Sequence, residues 1–215
     1  MIELFLNNRD IIFSGLMTTL LASIIALVGS LIIGTVMAIL QVSPLLIPKR
    51  IATAYVEFFR NIPLLIIVMF FFVVAPIYGF KFDGFSSGTI GLTLYTSAFV
   101  ADTVRAGIEG ISKGQMEAGR ATGLSYVETM WYIILPQAFK IVVAPLGNQF
   151  INLVKNSSIL AMVTGVDLMY QGDIIASTTF STIETYTMIG FIYLCITLPI
   201  SYLMKYIEER YSITN

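Results

Sequence analysis

The chain has 215 residues, 57% of them hydrophobic and only 12% charged. Soluble domains carry about twice that share of charge, so too few ionisable groups remain to coat a globule, whereas the same length supplies about four to six bilayer spans of roughly 20 residues each. A net charge of −1 gives no basic field for nucleic acid, and one cysteine (Cys195) with no histidine removes the usual ligands of disulfide scaffolds, zinc sites and His-based catalysis.

Charge-free runs locate the spans. Residues 11–48, 61–80, 84–101, 141–154 and 185–204 contain no Asp, Glu, Lys or Arg. The pattern predicts five transmembrane helices. The first covers residues 12–40 and ends at Pro44 and Pro48; the second covers 53–77 and ends near Pro76 and Gly79. The others cover 87–108, 137–162 and 184–207, with Lys155 interrupting the fourth. The fold class expected is therefore an all-α polytopic membrane protein, a single domain over 1–215, since no repeat and no Pro/Ser/Gly-rich linker divides it. On helix 1, Ser14, Thr18, Ala22, Ala26, Ser30, Gly34 and Ala38 recur every four residues. Such a ridge lets another helix approach closely, either within the chain or across a dimer.

The loops set the orientation. Lys49 and Arg50 follow helix 1; Lys113, Arg120 and Lys140 lie between helices 3 and 4; Lys205 and Arg210 close helix 5. The alternate loops hold only Arg9 and Lys81, and none between Asp167 and Glu184. By the positive-inside rule the N-terminus is outside and the C-terminus cytoplasmic, as an odd number of spans also requires. MIELFLNNRD lacks the basic start and cleavage site of a secretory signal, so helix 1 is expected to stay as an uncleaved anchor.

The long cytoplasmic segment 107–139 reads as two short helices. Gln115–Thr122 is rich in helix formers and stops at Gly123, while Ser125 and Glu128 form a capping box for a second helix with Tyr126, Val127, Met130 and Trp131 on its apolar side. An alternative is an amphipathic helix lying on the membrane surface, anchored by Trp131 and Tyr132.

Here a resemblance becomes specific. Glu117-Ala118-Gly119, then Gly123 and Ile134-Leu135-Pro136, are similar to the EAA motif of ABC importer membrane subunits. Gly119 replaces the usual alanine, a change expected to cost helix propensity alone. Phe59-Arg60-Asn61-Ile62-Pro63-Leu64, Thr96–Phe99 with Val104–Ile108, Pro136-Gln137-Ala138, Pro145, Asn148 and Leu153–Ser158 resemble the polar amino acid permease branch, with Asp102 where glutamate is common and Asn156 where aspartate is frequent. The resemblance runs from about residue 14 to 205. It implies a permease dimer, homo- or heteromeric, in the bacterial inner membrane, with an extracytoplasmic amino acid binding protein on one face and an ATP-binding cassette ATPase on the other. It places the coupling segment at 109–136, with Glu117, Ala118, Gly119, Gly123 and Leu124 as its residues. No G-x-x-x-x-G-K-[ST] occurs, so no phosphate-cradling loop is present. ATP and magnesium then belong to the partner; this chain is expected to be no enzyme and to hold no cofactor or metal.

Ionisable residues inside spans face a bundle interior or a cavity. Glu57 and Arg60 on helix 2 share the i, i+3 spacing of Asp102 and Arg105 on helix 3. They form either two internal ion pairs or a cavity sized for a zwitterion, where a guanidinium fork meets a carboxylate. Asn61 follows beside Pro63, and Lys155, Asn156, Ser157 and Ser158 are placed on the pathway from helix 4, with Lys155 alternatively tied to Asp102 or Glu57. Asp167, Asp173 and Glu184 read as an acidic outer loop, which either favours a cationic solute or only follows from the positive-inside rule. Two other functions compete with a permease for polar or basic amino acids: a self-sufficient secondary transporter or channel, and a scaffold whose loop docks a partner. Five spans without a repeat are few for a secondary transporter.

Overall fold

A computed structural model of the chain describes residues 1–211, and no strand occurs among them. Three helical runs are long and apolar enough to cross a membrane: α1 (Ile2–Val42), the run Tyr126–Val163, and α9 (Thr182–Tyr211). A fourth is reached when α2 (Leu46–Asn61) and the segment Leu64–Tyr78, bent 105° from each other, count as one span. The helix between them and Tyr126, α4 (Gly84–Glu109), is 26 residues long but carries Asp102, Arg105 and Glu109 among many Gly, Ser and Thr.

The continuous helix expected over 53–77 is broken in the structure. Pro63 lacks an N–H and disfavours helical backbone in the residue before it, and Ile62 is extended at φ −102, ψ 134. The chain restarts as α3 (Leu64–Met69), widens into a π turn over Phe70–Val74, tightens over Ala75–Tyr78, and stops at Gly79 with φ +91. Asp83 then caps α4, accepting the Ser86 N–H at 2.7 Å. After the short helices α5 (Lys113–Ala121) and α6 (Tyr126–Thr129) comes a second π turn, Met130–Ile134. It leads into α7 (Leu135–Asn156), which continues as a tight 3₁₀ run over Ser157–Val163.

One helix was not expected. The stretch read as an acidic loop contains α8 (Leu168–Thr179), and Asp167 is not at an acidic mouth. Its side chain is fully buried and accepts the N–H groups of Met169 and Tyr170, capping α8, while the Leu168 N–H donates to Thr19 of α1.

The small-residue ridge of α1 packs within the chain, against α4. Ala22, Ala26, Ser30, Gly34 and Ala38 are buried, and a Cβ on Gly34 would stand 2.7 Å from the Ser97 carbonyl oxygen. At the α1 N-terminal end the buried positions are Gly15 and Thr19 rather than Ser14 and Thr18. A four-residue repeat slips around a helix of 3.6 residues per turn, so the contacting face drifts by one position.

Candidate functional site

The segment 109–136 folds into a bent helical element on sequence-encoded caps. Gly123 sits at φ +90, which ends α5 at no steric cost. The Ser125 Oγ accepts the Glu128 N–H at 3.2 Å while the Ser125 N–H donates to Glu128 Oε2 at 2.7 Å, so the expected capping box is formed. Glu117, Ala118 and Gly123 are exposed and Leu124 is half-buried. Gly119 is buried against the following helix. A Cβ there would lie 2.5 Å from Thr129 Cγ2 and 2.9 Å from Ile133 Cδ1. Its departure from alanine is therefore a packing requirement, and the expectation of a propensity cost alone is corrected. Two ties hold the element to the spans. Tyr126 Oη donates to the Val42 carbonyl at 3.1 Å, and Gln137 Nε2 donates to Gln115 Oε1 at 3.3 Å and to the Ile133 carbonyl at 2.8 Å.

The charges expected within the spans do not form two separate pairs. Asp102 is shared: its Oδ2 meets Arg60 Nη1 at 3.2 Å and its Oδ1 meets Arg105 Nη2 at 2.7 Å. Arg105 also reaches Glu109 Oε2 at 2.8 Å, so four residues of α2 and α4 form one line of alternating charge. The Arg60 guanidinium sits 5.7 Å from the Phe99 ring centroid, a cation–π placement. Glu57 is left outside this line. It is exposed, and its partner is Asn61, whose Nδ2 donates to Glu57 Oε2 at 3.2 Å and to the Glu57 carbonyl at 2.7 Å.

Helix 4's residues lie elsewhere. Lys155 makes no ion pair among the described residues, so the ties to Asp102 or Glu57 are not formed. Ser157 is fully buried and donates to the Val154 carbonyl. Asn156, the last residue of α7, is half-buried. Lys155 and Ser158 border a recess of about 310 Å³ whose other walls come from α8 and α9. Sequence reading missed the α9 contributors Tyr186 and Gly190, since one tyrosine among many apolar neighbours carries no positional signal.

Residues 30–213 match the family of the binding-protein-dependent transport system inner membrane component. The chain belongs to that family. A probable glutamine ABC transporter permease protein, GlnM, of Bacillus subtilis (strain 168) is 48% identical over 209 residues, covering 97% of each chain. The glutamine transport system permease protein GlnP of Escherichia coli (strain K12) is 31% identical over 205 residues, covering 94% of each. Among solved structures, one described as an amino acid ABC transporter with histidines superposes with a TM-score of 0.87 at 33% identity, covering 96% of each chain. Among the described residues of this inner membrane component, no group of three His, Cys, Asp or Glu is placed to hold a metal ion.

Proposed function

We propose that the chain is the permease subunit of an ATP-driven importer of polar amino acids, with glutamine as the first candidate. The observation that carries the reading is likeness along the whole chain to a glutamine permease, 48% identical over 97% of both proteins. A preformed helical element on one end of the bundle supports it: Glu117 and Ala118 are exposed there, as a docking surface for a separate ATPase requires.

In this reading one domain over 1–215 crosses the inner membrane five times, by α1, the broken α2–α3 span, α4, α7 and α9. The N-terminus is outside and the C-terminus cytoplasmic. Two permease subunits, identical or merely similar, form the pathway. The binding protein delivers the solute, and Glu117, Ala118, Gly119, Gly123 and Leu124 receive motion from the ATPase, which holds ATP and magnesium. A rigid-body displacement passes from the short helices to the spans they join. Glu57, Arg60, Asn61, Asp102, Arg105, Lys155, Asn156, Ser157 and Ser158 are the candidate pathway residues. Of these, Glu57 has the strongest claim. Arg60 and Arg105 are matched by the carboxylates of Asp102 and Glu109, whereas the Glu57 carboxylate is exposed and answers only to an amide. An uncompensated carboxylate suits an α-ammonium group.

Reconstitution of the chain with its ATPase and binding protein tests the reading. ATP-dependent glutamine uptake that fails with Glu117→Lys despite continued ATP hydrolysis is the expected result. Solute movement by the purified chain alone under an ion gradient overturns it in favour of a secondary transporter or channel. Partner binding without any solute movement favours a scaffold.

A further inference from the structure

The recess at the end of α7 farthest from the coupling element has the chemistry of a solute site. Lys155, in the last turn of α7, is exposed on the chain's surface within a long charge-free apolar stretch. An ammonium at membrane depth requires an anion or water beside it, and among the described residues no carboxylate provides an ion pair. The walls supply acceptors. The Tyr186 hydroxyl donates its proton to Asp173 Oδ1 at 2.9 Å, so the phenol oxygen keeps its lone pairs for another donor. The Ser158 hydroxyl likewise spends its proton on the Lys155 carbonyl, at 2.9 Å. Met169 and Ile189 form an apolar floor, and Gly190 leaves the wall open, with nothing within 4 Å of where a Cβ would be. At about 310 Å³ the recess lies at the small end of ligand pockets.

Tyr193, whose buried hydroxyl has no hydrogen-bond partner among the described residues, completes the lining. Together with it, one cationic donor, the Tyr186 and Ser158 oxygens and a short apolar floor match a small zwitterion: carboxylate, N–H donors and an aliphatic stem. We propose that this recess is a second amino acid subsite of the permease, in which Lys155 holds the α-carboxylate and the Tyr186 and Ser158 oxygens receive the α-ammonium or a side-chain amide. The proposal rests on the amino acid importer reading and adds a place, distinct from the Glu57 region, where the solute pauses at the end of the pathway opposite the ATPase.

Gly190→Leu tests it most directly, because Gly190 lines the recess and nothing stands within 4 Å of where its Cβ would be. Lys155→Met keeps the stem and removes the charge, and Lys155→Arg restores it. ATP-driven glutamine uptake is measured in phosphatidylcholine vesicles, on complexes that co-purify with the ATPase at wild-type stoichiometry. Equilibrium binding of radiolabelled glutamine to the permease–ATPase complex without binding protein is the second measurement. The expected result is a half-saturating glutamine concentration raised about tenfold or more by Gly190→Leu and Lys155→Met, with Lys155→Arg close to wild type. If Lys155→Met does not assemble, Gly190→Leu decides alone. Unchanged uptake and binding in Gly190→Leu overturn the subsite and leave the importer reading standing. A Lys155→Met defect that appears only when phosphatidylglycerol is added overturns it in favour of an anionic lipid headgroup. Wild-type complexes that import no amino acid overturn both proposals.

Discussion

The Tyr126 hydroxyl donates a 3.1 Å hydrogen bond to the carbonyl oxygen of Val42, the last residue of α1, across 84 positions of sequence. The last carbonyls of a helix have no partner within it, and here one is satisfied by the helical element at 109–136. Just beyond Val42 the chain turns extended at Ser43, φ −60 and ψ 144, before α2 begins. A displacement of α6 therefore acts on the joint that orients α2, which carries Glu57 and Arg60.

Tyr126→Phe keeps the ring and removes this bond. It is expected to cost about 1 kcal/mol of stability and to lower the solute imported per ATP hydrolysed, with ATPase binding unchanged. Paired uptake and phosphate-release measurements in proteoliposomes give the ratio; an unaltered ratio would show that the bond carries no motion.

Gly119→Ala, which restores the residue usual in the EAA motif, is expected to destabilise this chain by about 1–3 kcal/mol through overpacking against Thr129. Adding Thr129→Ser removes the methyl at 2.5 Å and is expected to recover most of the loss. Thermal unfolding of the single and double variants measures the coupling between the two positions.

Asp102 holds two arginines, so its removal is worse than removal of the whole pair. Asp102→Leu leaves Arg60 and Arg105 facing each other without a shared anion and is expected to cost about 2 kcal/mol or more, whereas Asp102→Leu with Arg60→Met is milder than Asp102→Leu alone. Denaturation in detergent or the yield of assembled complex orders the variants, and a double variant worse than the single contradicts the shared-anion account.

Hydrogen bonding to the Ser86 side chain and N–H holds the Asp83 carboxyl below its usual value of 3.8. The folded pKa is depressed, so the cap stabilises above the usual carboxylate value, and this is lost as pH falls from about 4 through the lowered folded pKa. Asp83→Ala is expected to cost about 1 kcal/mol at neutral pH, with a smaller difference from wild type near pH 3. Unfolding curves at both pH values check the sign.

Much of this was legible in the sequence because charge-free runs and caps are local signals. Ser125 and Glu128 specify their helix start within four residues, and Gly123 its predecessor's end. Pro63 was visible too, but hydropathy averages over a window and does not register that one missing N–H divides a span. The helix α8 was hidden for the opposite reason: Asp167 is a strong cap signal, yet in a loop without basic residues it reads as surface charge. The sharing of Asp102 by Arg60 and Arg105 was not legible at all. The i, i+3 spacing identifies neighbours on one helix, while Arg60 approaches from another, and only the packing of α2 on α4 makes that pair.

The glycine contacts between α1, α4 and α7 also limit how the molecule can move. Gly29 meets Thr93, Gly34 meets Ser97 and Val100, and Gly107 meets Val142, each so close that not even a methyl group fits. Surfaces meshed this tightly do not slide past one another, so these three helices behave as one plate. Beside this plate, α2 lies between two extended residues, Ser43 and Ile62. Between them α2 has one end beside Val42, where Tyr126 is tethered, and the other at the Pro63 break. It is held to the plate by the Tyr55–Ser97 hydrogen bond and the Arg60–Asp102 ion pair, the contacts any movement of α2 has to break.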